Sequence, residues 1–521
     1  MHRTLTAAAA LVLTACAAPP PAADLAITGV TVLPMDGSPP RPGHTVLVRD
    51  GAIVGIAPAS KTSGRGVIEI DGSGRFLLPS LVDTHVHVCD SDDQWAFLAH
   101  GIGLVRNMDG TPFHLLMRES LADGRLEGAR LTTTGPYTNA PRIADPAAAR
   151  EAVRGQAAAG YDAIKIHGPL DLASLRELGD AARQAGLPVV GHIPRDQDFA
   201  DVAATGAMTE ISHAEEYLYT LYGLRDAGIS PDVRAEAVRL TVDGDIALTP
   251  TLTMYRGILR QVADVEAAVA AVPMRAVGPF AMRSFGPEGN RYAQRFERSD
   301  TTVFRESLDE QYALVGELAR AGVTILAGTD ANAPVAGPGY SLREELELLV
   351  ASGLTTEQAL AAATSAAWRA LTGDPIAGVV VEGGAAELLL LDASPLEDIR
   401  NVARVAGVVR GGRWYSAESL DARLDSIHAL RVAEQPFVDR LWDNTLEDAL
   451  PWLEAARESG EVPTIRAATW RCQSQRAVRD GVPEVALEAL DLALADFPGD
   501  PLTLAYRALV ESMLEAESRP D

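Results

Sequence analysis

The run Pro79-Ser80-Leu81-Val82-Asp83-Thr84-His85-Val86-His87 ends by placing two histidines on alternate positions. Side chains alternate between the faces of a β-strand, so His85 and His87 point one way and Val86 the other. Neutral imidazole is a common ligand for zinc and similar metals, and two of them at a strand end fill half of a four-coordinate shell. The pair alone fits equally well with two polar residues closing a strand. The rest of the chain has to complete the shell.

Residues 81–371 repeat short β-rich runs separated by helix-like stretches. After the histidine strand come 102–108, 130–135, 163–166, 188–192, 208–213, 246–251 and 323–330, eight runs in all. Eight strands alternating with helices predict an α/β fold, a (β/α)8 TIM-like barrel with its active site at the C-terminal strand ends. A doubly wound open sheet is the competitor, but no Gly-x-Gly-x-x-Gly turn opens a helix here. The fourth run carries Lys165 inside a strand that should be buried, the fifth ends in His192, the sixth in His213 and the eighth in Asp330. Singly, each has a plainer role: a structural histidine, a capping aspartate, a snorkelling lysine. Their common placement at strand ends selects a metal site.

The flanks read differently. Residues 25–32, 45–48, 52–56 and 67–70 are β-rich with glycine punctuation, and Asp50-Gly51 reads as a hairpin turn. Similar runs return at 387–391 and 405–409. One β-sandwich built from both flanks is expected, from 24–79 and 376–416, around a barrel over 80–375. Residues 417–521 form a helical extension, in which Ala486, Ala489, Leu490, Ala493 and Leu494 recur at helical spacing, Pro498-Gly499-Asp500-Pro501 interrupts, and Leu502, Ala505 and Leu509 resume. This is similar to one tetratricopeptide-type hairpin. A single such unit cannot bury its faces alone, so it should dock on the barrel or on a partner, with the barrel favoured.

The N-terminus reads as a targeting segment. His2-Arg3 precedes an Ala/Leu-rich run over 5–13 and then Leu13-Thr14-Ala15-Cys16. That ending resembles a bacterial lipobox, with Cys16 as the lipidated residue, 1–16 as the lipoprotein signal and proline-rich 17–23 as a stiff linker. The chain is therefore expected to be exported and lipid-anchored to the cell envelope, with membrane contact through Cys16. Only Cys89 and Cys472 remain, far apart in sequence, and they are expected as buried thiols rather than a disulfide. With 45 basic and 71 acidic residues the net charge is −26, which disfavours nucleic acid as a partner. The oligomeric state, a homo-oligomer included, is left open.

His85-Val86-His87, Lys165, His192, His213 and Asp330, in that order on runs one, four, five, six and eight, resemble the amidohydrolase superfamily over about 26–415. The match is to the binuclear type and its imidazolonepropionase-like and dipeptidase branch. The resemblance implies that His85, His87 and Asp330 hold the more buried of two divalent ions, His192 and His213 the other, and that Lys165 bridges them. Ser80 stands where the family usually has Gly, and Asn107 where an Asp commonly follows the second-strand Arg, here Arg106. An ammonium with pKa near ~10.4 cannot bridge two cations, so Lys165 is expected as a carbamate formed with carbon dioxide. Two ions, expected as zinc, sharing a water lower its pKa from about 15.7 towards about 7. Asp330 would then move the proton to the leaving nitrogen.

The expected reaction is hydrolysis of an amide or related C–N bond, with small peptide-like or N-acyl amino acid substrates. Cyclic amides, lactones and organophosphates are alternatives on the same site, and a catalytically dead binding scaffold is the reading from another class. Substrate contacts are expected from loops after the strands, with Tyr137, Tyr217 and Tyr255, and from His167, which shares a strand face with Lys165. The long connection 251–323 carries Arg291, Tyr292, Arg295 and Arg298, either as a solvated insertion or as a lid or carboxylate clamp.

Overall fold

The computed structural model describes residues 23–58, 66–221, 231–460, 462 and 464–517. The expected signal with Cys16, and nearly all of the linker, lie outside the described residues. Fifteen strands are present among the described residues. The N-terminal flank holds β1 (Leu25–Val32), β2 (Arg41–Arg49), β3 (Ala52–Pro58), β4 (Ile68–Asp71) and β5 (Phe76–Pro79). The central region holds β6 (Leu81–Val86), β7 (Ile102–Asn107), β8 (Arg130–Thr133), β9 (Ile164–Ile166), β10 (Val189–Gly191), β11 (Glu210–Ser212) and β12 (Ala247–Thr249). The chain returns to the flank with β13 (Leu388–Leu391), β14 (Val405–Arg410) and β15 (Arg413–Ser416).

Both flanks do combine, but as one continuous eight-stranded sheet rather than as two facing sheets. Its order is β15-β14-β13-β5-β1-β2-β3, with β4 also paired to β1. The reason lies in β1, which pairs with β2 along one edge and shares the other edge between β4 and β5. The seam between the flanks is antiparallel, with Leu389 opposite Leu78. Ile27, Val46, Leu77, Leu388 and Val409 fill its apolar cluster.

The central strands are parallel, in the orders β6-β7-β8 and β12-β11-β10-β9. Parallel bridges join Thr134 to Ala163, Leu248 to Ile325 and Val86 to Ala331. Segment 325–331 thus lies between β12 and β6, with Leu326 donating to the Leu248 carbonyl and Thr84 to that of Ala327, each at 2.9 Å. Part of its pairing runs through a side chain: the buried Asp83 carboxylate accepts from the backbone N–H and hydroxyl of Thr329, at 3.0 and 2.6 Å. The eighth run is therefore an extended segment with isolated bridges and not a regular strand.

Helices alternate with these strands for local reasons. Over Leu172–Ala185, Asp171 caps the N-terminus by accepting from Ala173 and Ser174 at 3.0 Å, and Gly186 closes the helix at φ 71°. Leu175, Leu178 and Ala182 recur at helical spacing and are fully buried, each leucine contributing about 1.5–3 kcal/mol.

The chain ends in helices Ala417–Asp443, Leu446–Ser459, Ala467–Arg479, Pro483–Asp496 and Pro501–Glu517. They dock on the central region, as expected. The anchor is a buried charge network: Asp90, Asp92 and Asp93, just beyond His87, meet Arg431 and Arg466 of the extension. Arg431 is fully buried with 2.7 Å to Asp93, and Arg466 also pairs with Glu434. Among the described residues no helix is long and apolar enough to cross a membrane.

The two cysteines correct an expectation. Cys89 and Cys472 form a disulfide with their Cα atoms 5.0 Å apart. Docking of helix Ala467–Arg479 over the β6 loop brings them together, as does the hydrogen bond of 2.9 Å from Gln475 Nε2 to the Cys89 carbonyl. A separation of 383 residues hides this from local sequence reading.

Candidate metal centre and substrate cavity

The six groups expected as ligands converge at the C-terminal ends of the parallel strands. The β6 alternation sends His85 and His87 to one side, and the ligand atoms of His85, His87 and Asp330 all lie within 4.8 Å of one another. Asp330 Oδ1 is 3.4 Å from His85 Nε2 and 3.0 Å from His87 Nε2. The His85 and His213 rings are 4.6 Å apart, and so are those of His192 and His213. Lys165 lies on β9 beside Val190 of β10, and burial pulls its ammonium down to about 7.

Two glycines permit this crowding. A Cβ on Gly191, which sits at φ +126°, would meet the Lys165 Cδ at 2.9 Å. One on Gly328 would meet the His85 Cβ at 2.9 Å. His213, Thr251 and Asp330 adopt positive φ of 74°, 49° and 59°. Such backbone is costly for residues with a Cβ, and it gathers at functional sites.

Each outer histidine is held by a neighbour. Glu216 Oε1 lies 2.9 Å from His192 Nδ1 and also pairs with Arg195, while Thr251 Oγ1 lies 2.6 Å from His213 Nδ1. Fixing Nδ1 in this way leaves Nε2 as the ligating nitrogen. Burial drives His85, His192 and His213 well below the ordinary histidine range, so these rings are neutral. Burial pushes Asp330 up, but the His87 hydrogen bond and the surrounding positive groups outweigh it and hold the carboxyl at about 2. His85, His192 and His213 therefore offer neutral imidazole, and Asp330 a carboxylate.

A metal fits what these residues lack. Both ring nitrogens of His85 and the Lys165 Nζ are buried without a hydrogen-bond partner among the described residues. Orphaned polar atoms at such depth are costly, and the donor types are those that hold divalent ions.

The centre opens into a cavity of about 950 Å³. His167 and Tyr137 line it, their rings stacked 4.4 Å apart, and Tyr255 lines it further out. Tyr217 does not, which corrects its expected substrate contact. It lies on helix Glu215–Thr220 two positions from both Glu215 and Tyr219, which face the cavity, so it points the other way. There it packs on Phe199 with rings 5.1 Å apart and bonds Thr241 at 2.9 Å. Arg291, Tyr292 and Arg295 line the cavity, whereas Arg298 is not on its wall.

Sequence reasoning missed several contributors. Glu216 and Arg195 follow His213 and His192 by three residues each, a signal readable only once the two strands are known to be neighbours. Trp442 and Arg479 also line the cavity, from the C-terminal helices, and Arg479 pairs with Asp109 at 3.1 Å. Nothing in their local sequence marks them.

The amidohydrolase family model matches residues 76–415. A Xaa-Pro dipeptidase structure with bound methionine in its active site is similar at 16% identity, covering 75% of this chain and 99% of that one, with TM-score 0.59. A putative prolidase from Bifidobacterium longum is 22% identical over 77% and 98%, with TM-score 0.56. A bottromycin amidohydrolase is 23% identical over 77% and 89%, with TM-score 0.60. Among curated protein sequences no match was found. The structural likenesses carry the fold alone, while the family match spans well over half of the chain and covers every residue of the histidine, lysine and aspartate cluster: the chain belongs to the amidohydrolase family.

Proposed function

We propose that the protein is a binuclear metal-dependent hydrolase of an amide or peptide-like C–N bond, acting on dipeptides or N-acyl amino acids, on a closed (β/α)8 barrel. The observation that carries this is that buried His85 and Lys165 lack hydrogen-bond partners among the described residues while lying with His87, His192, His213 and Asp330. His85, His87 and Asp330 would hold one ion, His192 and His213 a second, and a carbamate on Lys165 would join both. Bound divalent ions, zinc in this reading, supply an acidified water and polarise the carbonyl.

The chain's own residues do the rest. Asp330 has a depressed pKa and a place among the ligands, so it is ionised and suited to take the water's proton and return it to the leaving nitrogen. Glu216 and Thr251 fix the rings of His192 and His213. Lys165, with its amine pulled towards neutrality, supports the carbamate, because only the free amine reacts with carbon dioxide. His167, held neutral with a pKa of about 4 chiefly by burial, and Tyr137 present a stacked face to substrate. The similar structures described as dipeptidase, prolidase and amidohydrolase support this substrate class.

We also propose export and lipid anchoring at Cys16. The Cys89–Cys472 disulfide supports an oxidising compartment. The enzymatic reading is tested with a library of dipeptides and N-acyl amino acids and the zinc-loaded protein in bicarbonate buffer. The wild type should release free amino acids, and Asp330→Asn should lose about 100-fold or more in kcat. Near-normal turnover by a metal-loaded Asp330→Asn would remove the aspartate from its role.

A further inference from the structure

The C-terminal helices lie outside the matched family segment, yet they wall the substrate cavity. Beside the main cavity is a smaller one of about 240 Å³, and the two share His87, Cys89, Ser284, Asn332, Trp442 and Arg479. Arg476 of helix Ala467–Arg479 lines only the smaller one. Its guanidinium carbon lies 4.7 Å from the ring centre of Phe280 and 4.8 Å from that of Trp442. Two aromatic faces thus hold this cation in place.

Among the described residues nothing accepts a hydrogen bond from the Arg476 guanidinium, and no carboxylate pairs with it. Its neighbours differ: Arg431, Arg466 and Arg471 all hold carboxylates. The two aspartates lining the smaller cavity, Asp90 and Asp93, are matched by Arg431 and Arg466. Arg476 is thus a cation on this wall that no carboxylate holds within ion-pair distance; Asp480, one helical turn further on, acts on it only at longer range.

We infer that this side cavity is a substrate subsite built by the C-terminal helices, in which Arg476 takes the free carboxylate of the substrate while the scissile bond lies at the histidine and aspartate cluster. The inference rests on the hydrolase reading above. A guanidinium offers a planar fork of donors that matches a carboxylate. Phe280 and Trp442 give apolar walls to the group carrying it. The helical extension is then part of the enzyme's specificity and not an appendage.

The test uses the full chain, loaded with zinc, and pairs of dipeptides that differ only in ending as free carboxylate or as carboxamide. The wild type should favour the carboxylate member by about tenfold or more in kcat/KM. Arg476→Gln should bring the ratio close to one through KM, and Arg476→Lys should keep part of it. The ratio is read within each protein, so loss of folded or metal-loaded enzyme cancels. An unchanged ratio in Arg476→Gln, or a wild type indifferent to the terminal group, overturns the inference. Cleavage of neither peptide by the metal-loaded wild type overturns the hydrolase reading instead. The subsite is then judged by calorimetric binding of an N-acetyl amino acid against its amide, where equal affinities in wild type and Arg476→Gln overturn it.

Discussion

At the scale of single residues, the two outer histidines of the cluster are each held by a neighbour outside it. Glu216 reaches back from helix Glu215–Thr220 to the ring of His192, and Arg195 keeps that carboxylate in place. Removing its charge while keeping its shape should loosen the histidine without emptying the site. Glu216→Gln is expected to weaken metal binding or activity about 10–100-fold, measured by chelator competition and by kcat/KM. An unaltered metal affinity would make Glu216 a structural partner of Arg195 only. The residues of the cluster were legible in the sequence, because period-two alternation aligns His85 with His87 and one strand-helix unit separates Lys165, His192 and His213. The outward turn of Tyr217 was not, since which face of a six-residue helix meets the cavity depends on packing against Phe199.

At the scale of elements, two contacts set how the pieces sit. Helix Tyr340–Ala351 presents Glu345 to the start of helix Leu252–Ala263, where its carboxylate accepts from the Thr253 N–H at 2.7 Å. Burial pushes this carboxyl from 4.5 up to about 8. Between those values the folded chain keeps a proton that the unfolded chain has lost, so this contribution to stability falls as pH rises from about 4.5 to about 8. Glu345→Gln keeps an acceptor for Thr253 and removes the titration. Its Tm advantage over wild type should therefore be smallest near pH 5 and largest near pH 8.5, and a constant difference would contradict the assignment. The second contact is the Cys89–Cys472 disulfide, which ties the β6 loop to the extension. Cys89→Ser with Cys472→Ser should cost about 2–4 kcal/mol in urea unfolding under oxidising conditions. Equal stability of the two proteins would mean that the charge network alone holds the helices down. Neither contact is local in sequence, so periodicity and capping signals carry no trace of them.

At the scale of the whole molecule, the parts divide the work. Parallel strands bring the histidine, lysine and aspartate cluster together, the composite sheet joins the two flanks, and the C-terminal helices complete the cavity wall with Trp442 and Arg479. Alternation of strands and helices was readable from the rhythm of the chain. The single continuous flank sheet was not, because a strand's edge partners are set by pairing across the sequence and not by its own residues. The most direct test of the molecule as a metal hydrolase is metal content per chain after zinc loading in bicarbonate and removal of free ion, comparing wild type with Lys165→Met and His213→Ala. Two equivalents in the wild type, falling to one or fewer in either variant, are expected. A wild type that retains no metal and still cleaves peptides, or variants that keep the full complement, would contradict the binuclear site.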